Sequence, residues 1–101
     1  MRIVVLFNLR KETDVSEYER WARSVDIPTV NGLTSIAAFT VHRIGGILGS
    51  DEKPPYAYVE IIDVSDMSQF GADVATAEMK RIAAEFQAFA DNPLFLTTED
   101  L

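Results

Sequence analysis

The chain has no cysteine, which removes disulfides, iron–sulfur clusters, thiolate zinc sites and cysteine nucleophiles together. It has one histidine, His42, so a histidine-rich metal site is excluded and no metal is expected. Positive charge is scarce: nine Lys and Arg against sixteen Asp and Glu leave a net charge of −7. A chain this acidic is repelled by a phosphate backbone and by an anionic bilayer, so neither nucleic acid nor a membrane is an expected partner. The longest apolar run, Ile3 to Phe7, falls far short of the roughly 20 residues that a bilayer requires. No signal-peptide pattern opens the chain, and the cytoplasm is the default expectation. No flavin, haem or P-loop signature is present: Gly45-Gly46-Ile47-Leu48-Gly49-Ser50 lacks both the spacing and the lysine, so no cofactor is expected.

What remains is globular. The 101 residues are 48% apolar, with five glycines and four prolines, enough for a single domain over 1–101. Ile3-Val4-Val5-Leu6-Phe7 predicts a buried strand at about 2–9. Ser16 and Glu19 fit a capping box, and Tyr18, Trp21, Ala22 and Val25 put one apolar stripe on the helix that follows. That helix should weaken before Pro28, with a short turn continuing to Asn31-Gly32. Strands are predicted at Ile36–Ile44 and Tyr56–Val64. Asp66-x-x-Gln69 starts a short helix that breaks near Ala75-Thr76. A longer one carries Met79, Ile82, Ala83 and Phe86. Asn92-Pro93 should stop it before a last strand, Leu94–Thr98. The order βαββαβ predicts an α+β, ferredoxin-like fold, a four-stranded antiparallel sheet with both helices on one face.

Side chains alternate across a strand, so each strand offers two sets. The odd set (Ile3, Val5, Phe7, Phe39, Val41, Val59, Ile61) is apolar; the even set (Val4, Leu6, Asn8, Thr40, His42, Tyr58, Glu60, Ile62) is mixed. Helices cover one face only, and an apolar patch left in water calls for a second copy of the sheet. The expectation is a homodimer joined through the dry odd faces, with the even set and its polar groups under the helices. A cleft there, walled by Trp21, Tyr18, Phe86 and Met79, has the composition of a small-molecule pocket.

The candidate catalytic pair is His42 and Glu60. On one face of neighbouring strands they would form a general acid–base couple; the alternative is a histidine hydrogen-bonded for structure. Glu60, in mid-strand among apolar residues, is a base of raised pKa, a ligand acceptor, or the partner of Arg43. Asp26 at the helix end is a ligand contact at the pocket mouth or an N-cap for the turn at Pro28. Trp21, Tyr58, Asn8 and Phe86 complete the candidate substrate-binding set.

The segments Trp21-Ala22-Arg23-Ser24, Phe39-x-Val41-His42-Arg43 and Leu48-Gly49-Ser50-Asp51 carry a family likeness. So do Pro55-Tyr56-x-Tyr58-x-Glu60-Ile61-Ile62-Asp63-Val64, Phe70-Gly71-Ala72-Asp73-Val74-Ala75-Thr76 and Phe95-Leu96-x-Thr98-Glu99-Asp100-Leu101. Over its whole length the chain resembles the HapK or REDY-like group of the dimeric α/β-barrel superfamily. The resemblance implies a homodimer of two facing sheets. It also implies a setting in prodigiosin-type pigment biosynthesis, on the bipyrrole branch. The wider superfamily includes cofactor-free monooxygenases, isomerases and polyketide cyclases. Some members carry a histidine in the first-helix motif; here it reads Asp26-Ile27-Pro28, so that mechanism does not carry over. The implied function is action on a planar, bipyrrole-like intermediate by cofactor-free oxidation or proton transfer. The alternative is a non-catalytic dimeric carrier of such a ligand.

Overall fold

A computed structural model describes residues 1–101. Strand β1 is Arg2–Leu9, and α1 is Val15–Trp21. A π-helical stretch, Ala22–Asp26, leads directly into α2, Ile27–Asn31. Strands β2, Ile36–Arg43, and β3, Tyr58–Val64, follow. Helices α3, Met67–Val74, and α4, Ala77–Phe89, precede β4, Ala90–Thr97. The strands form one antiparallel sheet in the order β2-β3-β1-β4. This is the ferredoxin-like α+β fold.

Two local expectations change. Asp14, not Ser16, caps α1: its carboxylate accepts the Ser16 N–H at 3.0 Å and also the Ser16 hydroxyl. A carboxylate is the stronger acceptor at a helix N-terminus, and Glu19 is engaged elsewhere. The first helix weakens before Pro28, as expected: α1 ends at Trp21 and a short second turn runs to Asn31. Pro28 has no N–H for the carbonyl four residues back, so the backbone passes through the wider π turn. It then resumes α geometry with Pro28 in the first turn of α2, where the missing donor costs little. Asn92-Pro93 does not end α4, which gives way to β4 at Ala90. Leu6 pairs with Leu94 and Asn8 with Asp91, so β4 carries one extra residue, a bulge that holds left-handed Asn92 (φ 51°) and Pro93. On an edge strand such a bulge tolerates proline.

The face assignment also changes. Ile3, Val5 and Phe7 of β1 oppose Ile62, Glu60 and Tyr58 of β3, which in turn oppose Phe39, Val41 and Arg43 of β2. Odd residues of β1 and β2 therefore share a face with even residues of β3. Connection lengths set antiparallel register, and numbering parity does not survive them. This mixed face lies under the helices, with Val5 and Phe7 fully buried. Phe7 is its centre: its ring stacks on Tyr58 at 5.4 Å and meets Tyr18 and Phe86 edge-on at 5.7 and 5.0 Å. The opposite face carries Val4, Leu6, Val59, Ile61, Leu94 and Leu96 on three adjacent strands, with Thr40 and His42 beside them.

Candidate functional site

Glu60 stands in the middle of β3 with Val5 and Val41 as its cross-strand neighbours, and it is 4% exposed. Asp26, the last residue of the π stretch, is equally buried and makes no cap for α2. The π turn adds a residue to the helical repeat and so re-aims the side chains that follow. Asn31 anchors this region: its amide donates to Phe39 O and accepts the Phe39 N–H, both at 2.9 Å. That pair of bonds ties α2 to the free edge of β2.

Asp26 and Glu60 line one cavity of about 180 Å³ between the sheet and the helices. Its other walls are Phe39, Ile62 and Phe95 from the sheet, Val30 and Leu33 beside α2, Phe70 and Val74 from α3, and Met79, Ile82 and Phe86 from α4. No cation lines it. Burial pushes Asp26 up to about 7. Burial, and then the charge of Asp26, pushes Glu60 up to about 8. Each carboxyl is thus held towards its protonated form, and a negative Asp26 opposes ionisation of Glu60. Two carboxyls of raised pKa lining one apolar pocket can take a proton from one atom of a ligand and give one to another. No third acid or histidine joins them in a metal-ligating group.

Of the residues expected at the site, the structure brings together Glu60, Asp26 and Phe86. Asp26 lies in the cavity wall, and the alternative of an N-cap is overturned. His42 does not join Glu60. It lies opposite Val59 on the other face of the sheet, exposed, with Nε2 3.0 Å from Thr40 Oγ1. Trp21 does not line the cavity either: its indole N–H donates to Glu85 at 2.8 Å, and its ring packs on Tyr18 and Phe89, closing α1 against α4. Asn8 donates to Pro55 O and borders a separate open depression with Arg10 and Lys53.

Tyr58 belongs to a second cluster. Its hydroxyl donates to Glu19 at 2.7 Å, and Arg43 and Arg23 donate to the same carboxylate. These donors hold Glu19 down at about 2, with Arg43 the largest cause. Arg43 is thus the partner of Glu19 and not of Glu60.

Sequence reasoning treated Tyr18 only as a wall. Its hydroxyl is fully buried without a hydrogen-bond partner, as is Glu60 Oε2. Burial raises the Tyr18 phenol, and the charge of Glu60 is the next cause. An amphipathic stripe looks the same for a packing tyrosine and for one facing an acid, so no sequence signal separates them.

The profile of one protein family, REDY-like protein HapK, matches residues 1–101. The chain belongs to the HapK family. HapK from Hahella chejuensis is 27% identical, with 98% of this chain and 93% of that chain covered and a TM-score of 0.73. A dimeric ferredoxin-like protein from Thermobifida fusca is 10% identical, over 94% and 85% of the two chains, with a TM-score of 0.71. An antibiotic biosynthesis monooxygenase is 13% identical, over 99% and 97%, with a TM-score of 0.72. The last two likenesses establish the fold alone. No curated protein sequence matches the chain. No helix of this HapK-family protein is long and apolar enough to cross a membrane.

Proposed function

We propose that the protein binds a small planar heteroaromatic molecule in the cleft between sheet and helices, and that Asp26 and Glu60 move a proton on it. The observation that carries this reading is the pair of buried carboxyls in one apolar cavity, with no cation beside them. A cavity of about 150 Å³ takes up a benzene-sized ring. The 180 Å³ here suits one aromatic ring, and Phe95, 55% exposed, offers a flat surface for the remainder at the edge strand. Asp26, in its ionised form, removes a proton from a ring carbon or its substituent. Glu60 returns one to a second atom of the same ligand. The balance closes as an isomerisation, with no electrons gained or lost. The family setting favours a bipyrrole-like pigment intermediate as the ligand.

The protein acts as a homodimer in this reading. Six apolar side chains on the helix-free face form a continuous patch, with Leu94 and Leu96 43% and 39% exposed, and a second sheet covers it.

The test is incubation of a bipyrrole aldehyde with the protein in D₂O, in air and without it, with deuterium uptake and product mass followed. Deuterium incorporation that Glu60→Gln abolishes supports proton transfer. A gain of oxygen only in air identifies oxidation, and binding with no mass change identifies a carrier. Either of those outcomes sinks the isomerase reading.

A further inference from the structure

Tyr18 Oη and Glu60 Oε2 are both sealed from solvent and both without a hydrogen-bond partner, one a donor and the other an acceptor. Tyr18 is 0% exposed. Its ring is boxed in by Phe7, Trp21, Tyr58 and Phe89, with centroids 5.0 to 6.1 Å away. A buried hydroxyl left unpaired is costly, and phenylalanine would fill the same box without that cost. The hydroxyl is therefore a donor open to a neighbouring acceptor.

The surroundings of Glu60 narrow the choice of acceptor. Val5 of β1 and Val41 of β2 flank it. Met79, Ile82, Phe86 and the uncharged Gln87 face the cavity from α4, Phe70 and Val74 from α3, and Phe95 from β4. Asp26 shares the cavity with Glu60. The Tyr18 ring lies 5.0 Å from that of Tyr58, two residues from Glu60 on the same face of β3, and Tyr18 shares a depression with Val41, the cross-strand neighbour of Glu60. Asp26 repels a negative Glu60, and the Tyr58 hydroxyl is committed to Glu19.

We infer that Tyr18 is the positioning residue of Glu60: its hydroxyl donates to Oε2 when the carboxyl gives up its proton. Tyr18 does not line the cavity and acts on a ligand only through Glu60. The inference deepens the proton-transfer reading and rests on it for its functional meaning.

The experiment is a carboxyl ¹³C NMR titration of Glu60 in the parent protein, in Tyr18→Phe and in Tyr58→Phe. Loss of the donor in Tyr18→Phe is expected to raise the apparent pKa of Glu60 by about one unit, a tenfold bias against the ionised form. Tyr58→Phe is expected to leave it in place. A parent-like Glu60 titration in Tyr18→Phe overturns the inference. Should Tyr18→Phe not fold, the parent decides: a slowly exchanging, low-field Tyr18 hydroxyl proton should appear as pH rises through the Glu60 titration. Its absence at the high-pH end overturns the inference as well. Deuterium uptake untouched by Glu60→Gln would instead remove the proton-transfer reading, whatever the titration shows.

Discussion

Glu19 and Glu60 are the same residue in opposite surroundings. Glu19 accepts from Arg43, Tyr58 and Arg23 near the surface and is held at about 2. Glu60 lies deeper, with Oε2 unpartnered and Asp26 nearby, and is pushed up to about 8. Donors and a cation stabilise the charge of the first; dehydration and a like charge oppose that of the second. One carboxylate fastens α1 to β2 and β3, and burial holds the other towards its protonated form. A glutamate serves structure or chemistry according to what faces it.

The sharpest way to break this contrast is to neutralise each in turn. Glu60→Gln is expected to lower the deuterium-exchange rate on a bipyrrole aldehyde by about 10²–10⁴-fold, the usual worth of a general acid or base. Glu19→Gln should change that rate only a few-fold while lowering Tm. Equal losses in the two variants would remove the distinction.

The pH dependence of stability separates the two next. Asp26 and Glu60 have folded values above their ordinary ones, so the native state holds protons that the unfolded chain releases. Their burial penalty is absent below about pH 4, grows as pH rises, and is complete above 7 to 8. Glu19 has the opposite sign: its stabilisation is present above its ordinary value and is lost as pH falls towards 2. Tm should peak at about pH 4–5 and fall by several degrees towards pH 9. Asp26→Asn should flatten the alkaline fall, and Glu19→Gln the acid one. A Tm that rises steadily from pH 5 to pH 9 would contradict the burial of the carboxyl pair.

A smaller effect on the site is expected from the far face. Leu6→Glu puts a charge in the centre of the apolar patch, and sedimentation should show monomers with the cavity still formed. The least effect belongs to His42→Ala, which should leave the exchange rate within about twofold, since a surface change away from the site alters little. A large loss there would bring His42 back as a candidate base.

Much of the fold is legible in the residues. The order of elements, the span of β1, the cap at Asp66 and the break at Ala75-Thr76 follow from β-branched runs, helical periodicity and local capping chemistry. These are short-range effects, and Glu60 announces itself the same way, as a carboxylate inside an apolar strand. Asp26 was visible too, because a carboxylate at a helix end is out of place.

The partners of these residues were not legible. Whether Glu60 meets His42 or Asp26 depends on register between strands, which is set by loop lengths and bulges far from either residue. The π turn that re-aims Asp26 and the arginine that goes to Glu19 are likewise outcomes of packing. Residue types and local spacing by themselves determined the βαββαβ chain, its acidity, its lack of thiol chemistry and the presence of an acid in the core. Tertiary structure alone decided which face that acid occupies, which groups surround it and that no cation does. The pKa of a buried group is the free energy of bringing its charge into that one environment, and the environment is assembled from segments that are distant along the chain.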